Sequence, residues 1–255
     1  MRAFNFRAIE VFLISHSKNM ATDFTSKKIS EIYSEGISAE ELSLKPVNLE
    51  LVGDVKDKDI LDLGCGNGRY SILFAERGAR VKAIDVSPYQ IEIAKKINLH
   101  PNIEYTIGDV STLHDIRNNS ADIVFMNLVI PDLEKKEMLE NIMSETKRVL
   151  KKNGRFIFST LHPLYLSPEQ DPLDKAMNFK KENYFKEGSN YNAEAATNAG
   201  NKITFNETHF SLSYISKVLR ENGFFIKSIV ESKNIPEKGI YLPKYLVFEC
   251  VPAKI

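Results

Sequence analysis

From Asp59 onward, short runs of consecutive apolar residues alternate with longer stretches whose apolar positions recur at helical spacing. An unbroken apolar run suits a strand buried on both faces, and its repeated succession with helices is the pattern of a doubly wound α/β sheet. The first strand is predicted at Asp59-Ile60-Leu61-Asp62-Leu63, followed by a glycine-rich turn and a helix through Tyr70, Ile72, Leu73 and Phe74 that ends at Gly78. Val81 to Asp85 predicts strand two. Ser87-Pro88 opens the next helix, because serine can cap an exposed N–H and proline fits the first helical position. Ile91, Ile93, Ala94 and Ile97 supply its apolar face. Asn102 to Ile107 and Ala121 to Met126 read as strands three and four. Met138, Leu139, Ile142, Met143, Val149 and Leu150 predict a helix over Lys135 to Leu150, closed by Lys151-Lys152-Asn153-Gly154, with cations at the negative end of its dipole. Strand five follows at Arg155 to Thr160.

The rhythm then breaks. His162 to Asn206 is polar and aromatic, is interrupted by Pro163, Pro168 and Pro172, and holds no sustained period. It is too long for a simple connection and is expected to be an active-site lid or cap. Order returns with a helix near Ser211 to Asn222, strand six at Phe224 to Glu231 and strand seven at Tyr245 to Val251. With no helix between them, the last two strands are expected to pair as a hairpin at one sheet edge. The division expected is an N-terminal helical segment over 1–45 and one α/β domain over 46–255, with 162–206 as an insertion.

Charge and composition narrow the function. Thirty-four basic side chains balance thirty-four acidic ones, leaving no overall electrostatic attraction for nucleic acid or an anionic membrane. The two cysteines, Cys65 and Cys250, stand in no metal-ligand spacing and make no disulfide framework, so no metal and a reducing, cytoplasmic setting are expected. The apolar run Ile9 to Ile14 contains Glu10 and falls far short of the roughly 18 residues of a membrane span. The stretch from Met1 to Ser17 reads as an N-terminal helix, or as a leader ahead of a second start at Met20.

The chemistry is concentrated in Asp62-Leu63-Gly64-Cys65-Gly66-Asn67-Gly68. A ligand lying over the end of the first strand must approach backbone, which glycine permits. The exposed N–H groups of the following helix favour an anionic group. A pyrophosphate would not want Asp62 immediately upstream, whereas the ammonium of an amino-acid moiety would. The dinucleotide pattern also calls for glycine or alanine where Arg69 stands. S-adenosylmethionine is favoured over a nicotinamide cofactor on both counts. Asp85, about 20 residues on, can accept both ribose hydroxyls, and Val86 beside it joins the same set. After strand three, the Asp109 carboxylate can accept from the adenine amine while the Val110 N–H donates to a ring nitrogen.

Ile60-Leu61-Asp62-Leu63-Gly64-Cys65-Gly66-Asn67-Gly68 resembles the first motif of class I (Rossmann-like) S-adenosylmethionine-dependent methyltransferases. Asp85, Gly108-Asp109 and Ala121-Asp122-Ile123-Val124 resemble the motifs that follow in that family. Val149 to Arg155 resembles its stretch before strand five, although Asn153 stands where proline is usual. Ser211 to Glu231 is similar to the last helix and strand of its small-molecule branch. The resemblance implies a mostly parallel seven-stranded sheet in the order 3-2-1-4-5-7-6, with helices on both faces. It also places Asn127 and Leu128, after strand four, beside the methionine portion and the transferred methyl. Enzymes of the family that methylate base amines carry Asn-Pro-Pro-aromatic there. Asn127-Leu128-Val129-Ile130-Pro131 departs from that and points to a small-molecule acceptor rather than nucleic acid.

The remaining candidates have plainer alternatives. Cys65 sits where the turn asks only for a small side chain, and Cys250 reads as a buried apolar substitute. His162, following strand five at the ligand edge, is equally a hydrogen-bonded loop histidine or the base that takes a proton from the acceptor. His209 reads as a capping residue more than a site residue. Tyr33 is placed by the resemblance on an N-terminal helix closing over the cofactor. The expected reaction is transfer of a methyl group to N, O or C. The alternatives are a nicotinamide-dependent oxidoreductase and, from another class, a donor-binding protein without turnover.

Overall fold

A computed structural model describes residues 22–37, 39–163, 179–234 and 242–253. The N-terminal run Ile9 to Ile14 and the prolines Pro168 and Pro172 lie outside the described residues.

Seven strands form one sheet. They are β1 (Asp59–Leu63), β2 (Arg80–Asp85), β3 (Ile103–Ile107), β4 (Ala121–Asn127), β5 (Leu150–Leu161), β8 (Phe224–Glu231) and β9 (Tyr245–Pro252), in the spatial order β3-β2-β1-β4-β5-β9-β8. The first five run parallel, and β9 pairs antiparallel with both β5 and β8. This is the expected order and edge hairpin. The numbering of the last two strands differs only because β6 (Ser189–Ala196) and β7 (Lys202–His209) intervene as a separate two-stranded sheet.

Side chains alternate across the sheet and divide the core in two. Leu61, Val124, Phe156 and Phe158 face helices α5 (Lys136–Val149) and α6 (Leu212–Glu221) through Leu139, Ile142, Val218 and their neighbours. Ile60, Phe125 and Ile157 face the opposite way, onto α2 (Lys45–Val52), α3 (Arg69–Glu76) and α4 (Pro88–Ile97) through Val47, Phe74 and Ile91. Burying strand residues on both faces removes each large side chain from water, worth about 1.5–3 kcal/mol apiece. The apolar runs therefore needed no alternation in the sequence. Ser87 caps α4 as expected, its hydroxyl accepting from the Gln90 N–H at 3.2 Å.

Two expectations are corrected. The segment Lys151 to Gly154 is not a helix-closing turn: α5 stops at Val149 and β5 begins at Leu150, opposite Ala121, with a register shift before Ile123. The Lys151 ammonium reaches the carboxylates of both Asp59 and Asp122 at 2.8 Å, which ties this stretch to the sheet. From the insertion onward, 189–209 forms an antiparallel hairpin where no sustained period was read. Its buried positions carry Tyr191 and Ala193 on one strand but Asn206, Thr208 and His209 on the other, so its alternation is not one of hydrophobicity.

The N-terminal segment contributes α1 (Lys27–Tyr33) and a π-helical turn, Glu40–Leu44, that runs into α2. It is stitched to the β6–β7 turn. Ile37 bridges Thr197, the Asn198 N–H donates to the Gly36 carbonyl at 2.8 Å, and Glu35 accepts from the Thr197 hydroxyl and the Asn201 amide. Among the described residues no helix is long and apolar enough to cross a membrane.

Candidate active site

A cavity of about 570 Å³ opens over the carboxyl ends of β1, β2, β3 and β4, within the roughly 300–1,000 Å³ usual for small-molecule sites. All the residues expected to hold a cofactor line it except Gly68: Asp62, Gly64, Cys65 and Gly66 at the end of β1, Asp85 and Val86 at the end of β2, Asp109 and Val110 after β3, and Asn127 and Leu128 at the end of β4. The N-terminal segment supplies the facing wall through Phe24, Tyr33, Ile37 and Glu40.

The glycine-rich turn is shaped from both sides. Gly66 has φ +53°, and a Cβ there would lie 3.8 Å or more from any neighbouring side chain, so its bare backbone faces cavity space. Gly68 has φ +81° and serves packing instead: a Cβ would meet the Tyr105 hydroxyl at 2.3 Å.

The Asp85 carboxylate is 8% exposed and already oriented. One oxygen accepts from the Gly66 N–H at 2.7 Å and the other from the Ser87 N–H at 2.8 Å. Each oxygen keeps lone pairs for a diol, and burial raises the pKa of the group. Val86, 56% exposed, presents an apolar side chain beside it on which a flat ring can lie. Asp109 is turned by its own loop, accepting from the Ser111 N–H at 2.7 Å.

Asp62 is 2% exposed and accepts from the Ser71 hydroxyl at 2.5 Å, with no cation beside it among the described residues. Burial pushes its pKa up to about 7, Ser71 opposes the shift and Asp85 adds to it. A buried carboxylate in this state is poised to accept a cationic ligand group, as an amino-acid ammonium would be. The cradle at Gly66, the paired acceptors of Asp85 and this carboxylate together fit S-adenosylmethionine.

Asn127 forms the hub at the end of β4. Its amide donates to Glu40 at 2.8 Å, and its oxygen accepts from Asn48 at 2.7 Å and Ser159 at 2.8 Å. Leu128 follows in the left-handed region at φ +55°, its N–H held by the Ser159 hydroxyl and carbonyl. A non-glycine residue in that region costs about 1–3 kcal/mol and persists where its surroundings impose it.

The two histidines stand elsewhere. His162 is not among the lining residues; its Nε2 lies 3.2 Å from Glu231. His209 closes β7 with Nε2 2.8 Å from the Tyr184 carbonyl, and burial lowers its pKa. Burial raises the thiol pKa of Cys65 well above the usual value and that of Cys250 to about 12, so neither is a thiolate nucleophile. Tyr33 lines the cavity from the end of α1, as the resemblance implied, in edge contact with Phe24 at 5.3 Å.

Several lining residues escaped the sequence. Asp132 sits in a 3₁₀ turn, Ile130–Asp132, directly after the strand-four end, where a carboxylate was open to notice. Glu40 had no local signal, because its position depends on a partner 87 residues away. Arg69, read only as a departure from the dinucleotide pattern, binds Glu41 at 3.0 Å and the Ser34 carbonyl at 2.7 Å and so fastens the N-terminal segment to α3.

A mostly parallel sheet in this order, with its cavity at the strand ends around β1 and β4, defines a Rossmann-like fold with its site where such sheets bind ligands. Residues 61–158 match the family described as a methyltransferase domain. A protein from Listeria monocytogenes assigned as an S-adenosylmethionine-dependent methyltransferase is 25% identical in sequence and superposes with a TM-score of 0.65 over 82% of this chain and 97% of that one. The CcbJ methyltransferase from Streptomyces caelestis, 15% identical, shares the fold with a TM-score of 0.63 over 91% of this chain and 100% of that one. Among curated proteins, malonyl-[acyl-carrier protein] O-methyltransferase from Hamiltonella defensa is 32% identical over 44% of this chain and 42% of its own length. Ubiquinone biosynthesis O-methyltransferase from Xanthomonas oryzae is 31% identical over 47% of this chain and 51% of its own. The chain thus spans about half or less of these relatives. The chain therefore carries a methyltransferase domain over residues 61–158, in the fold of S-adenosylmethionine-dependent methyltransferases.

Proposed function

We propose that the protein transfers the methyl group of S-adenosylmethionine to a nucleophilic N, O or C atom of a small molecule held in the roofed cavity. The observation that carries this is the pairing of Asp85, fixed by two backbone N–H groups, with the buried Asp62 across the Gly66 cradle. In this reading Asp85 accepts the ribose hydroxyls, Asp109 and Val110 address the adenine, Asp62 takes the ammonium, and Asn127 and Leu128 flank the methyl-bearing end. The bound donor supplies a methyl group already activated by positive sulfur. The protein contributes positioning and exclusion of water. The described parts of the N-terminal segment 1–45 and of the insertion 162–206 are taken as enclosing the site of a methyltransferase domain over 46–255.

The enclosure favours a small acceptor: Phe24, Tyr33 and Glu40 stand opposite the strand ends within the same cavity. The two curated relatives named above act, by their names, in ubiquinone biosynthesis and on a carrier-bound malonyl group. Calorimetric titration with S-adenosylmethionine, S-adenosylhomocysteine and NAD tests the donor. Binding of the first two and not the third is expected. Binding of NAD alone would make the site that of an oxidoreductase. Donor binding without transfer to any acceptor in a broad panel would make it a binding protein.

A further inference from the structure

Of the four carboxylates in the cavity wall left over once the donor's groups have been assigned, Asp23 and Glu134 are exposed, and Glu40 and Asp132 are not. Glu40 is 8% exposed, and one of its oxygens accepts from Asn127; the other makes no hydrogen bond among the described residues. Asp132 lines the same cavity, its N–H donating to the Val129 carbonyl at 3.0 Å, and its carboxylate makes no hydrogen bond or ion pair among the described residues. Both line the cavity with Tyr33 and raise the pKa of its buried hydroxyl, as Asp85 also does. Burial raises the Asp132 pKa, and the buried Glu207 and Asp85 add to the shift. Arg69 is the sole lysine, arginine or histidine among the described lining residues, and its guanidinium is committed to Glu41 and the Ser34 carbonyl. The rings of Phe24 and Tyr33 complete this wall, and aromatic faces attract cations.

We infer that the acceptor is a small amine, bound as its ammonium ion between Glu40 and Asp132, with Asn127 as the positioning residue for Glu40. This rests on the methyltransferase reading and makes it specific. The ammonium gives one proton to a carboxylate oxygen. The freed lone pair forms the new N–C bond as the S–C bond breaks, sulfur keeps that bond's electrons, and the methylated nitrogen carries the positive charge. In-line transfer thus moves a positive charge from sulfur to nitrogen. Carboxylates on the acceptor side stabilise the charge where it develops, more than where it starts. An oxygen acceptor would have to become anionic beside the same two carboxylates, which like-charge repulsion opposes.

Calorimetry on the complex with S-adenosylhomocysteine separates the cases. Phenethylamine, 2-phenylethanol and 3-phenylpropanoate share a ring and spacer suited to Phe24, Leu133 and Met138 and differ in the polar head. The amine is expected to bind at least about tenfold more tightly than the alcohol, with the carboxylate weakest. The isosteric variants Glu40→Gln and Asp132→Asn should each reduce the preference by about threefold or more, and together abolish it. Their retained heat of S-adenosylhomocysteine binding reports that they are folded. Equal or tighter binding of the alcohol or carboxylate, no binding of the amine, or a preference that survives the double variant would overturn the amine acceptor and leave the donor site standing. Failure of the wild type to bind S-adenosylhomocysteine would instead remove the reading beneath it.

Discussion

The amide of Asn127 spans 87 residues of sequence to donate to Glu40 at 2.8 Å, joining the end of β4 to the N-terminal segment. Its other end accepts from Asn48 and Ser159. One side chain therefore fixes the distance between the sheet edge and the wall facing it. Asn127→Ala is expected to destabilise the protein by about 2–4 kcal/mol, because buried polar groups on three elements lose their partner. Asn127→Asp should be comparably damaging, since it sets a second carboxylate against Glu40. Denaturant unfolding of both variants measures this; a loss below about 0.5 kcal/mol would mean that the contact is incidental.

Asp85→Ala is expected to weaken S-adenosylmethionine binding by about 10- to 100-fold, the equivalent of about 1–3 kcal/mol in lost hydrogen bonds. The variant also frees the Gly66 N–H, so part of the loss reflects a looser turn. Calorimetric titration gives the ratio, and unchanged affinity would remove Asp85 from the site.

Gly66 and Gly68 should separate binding from folding. Gly66→Ala places its methyl in cavity space, so donor affinity should fall by tenfold or more, while the left-handed backbone costs only about 1–2 kcal/mol of stability. Gly68→Ala drives its methyl into the Tyr105 hydroxyl, so the larger loss should be in melting temperature. Donor titration and thermal unfolding of the two variants, compared side by side, would show the reverse order if the turn were misassigned.

Asp62 makes the donor-free protein sensitive to pH. Its pKa of about 7 in the folded state lies above the 3.8 of the unfolded chain, so the folded state holds the extra proton. The associated stability is full below about pH 4 and is lost as the pH rises through about 7. The wild type without donor should therefore melt lower at about pH 8 than at about pH 5 by more than Asp62→Asn does, with a difference of at least about 4 °C. Donor affinity should move the opposite way, rising over the same range as the carboxylate ionises to meet the ammonium. Identical pH profiles for wild type and variant would refute the assignment.

His162→Ala is expected to leave donor affinity within about twofold, since the ring faces Glu231 and not the cavity. Titration with S-adenosylhomocysteine checks this, and a loss of tenfold or more would bring His162 back to the site.

The donor half of the site was legible because it is local. Asp62, Gly64 and Gly66 lie within five residues at the end of β1, Asp85 ends β2 and Asp109 follows β3 by two residues. A parallel sheet brings successive strand ends to one edge, so reading the strands was enough to gather the carboxylates. The facing wall of the cavity was not legible in the same way. Glu40 belongs to a polar stretch whose placement is decided by Asn127 and Arg69 through distant contacts. The β6–β7 hairpin hid because Asn206, Thr208 and His209 occupy buried positions where a strand pattern calls for apolar residues. The start of β5 was missed because Lys151 reads as a helix-ending cation, while its ammonium in fact answers Asp59 and Asp122 across the sheet.

The stitching of Glu35, Gly36 and Ile37 to the turn at Thr197 to Asn201 bears on the order in which the molecule is made. Thr197 meets Glu35 across 162 residues of chain, so this junction closes one of the longest loops in the protein. Loop closure on that scale is slow compared with the neighbouring pairings of β1, β2 and β4. A nascent chain can thus complete its glycine-rich turn and strand-end carboxylates while the opposing wall is still open. Donor added during refolding should find its cradle before the roof is sealed above it.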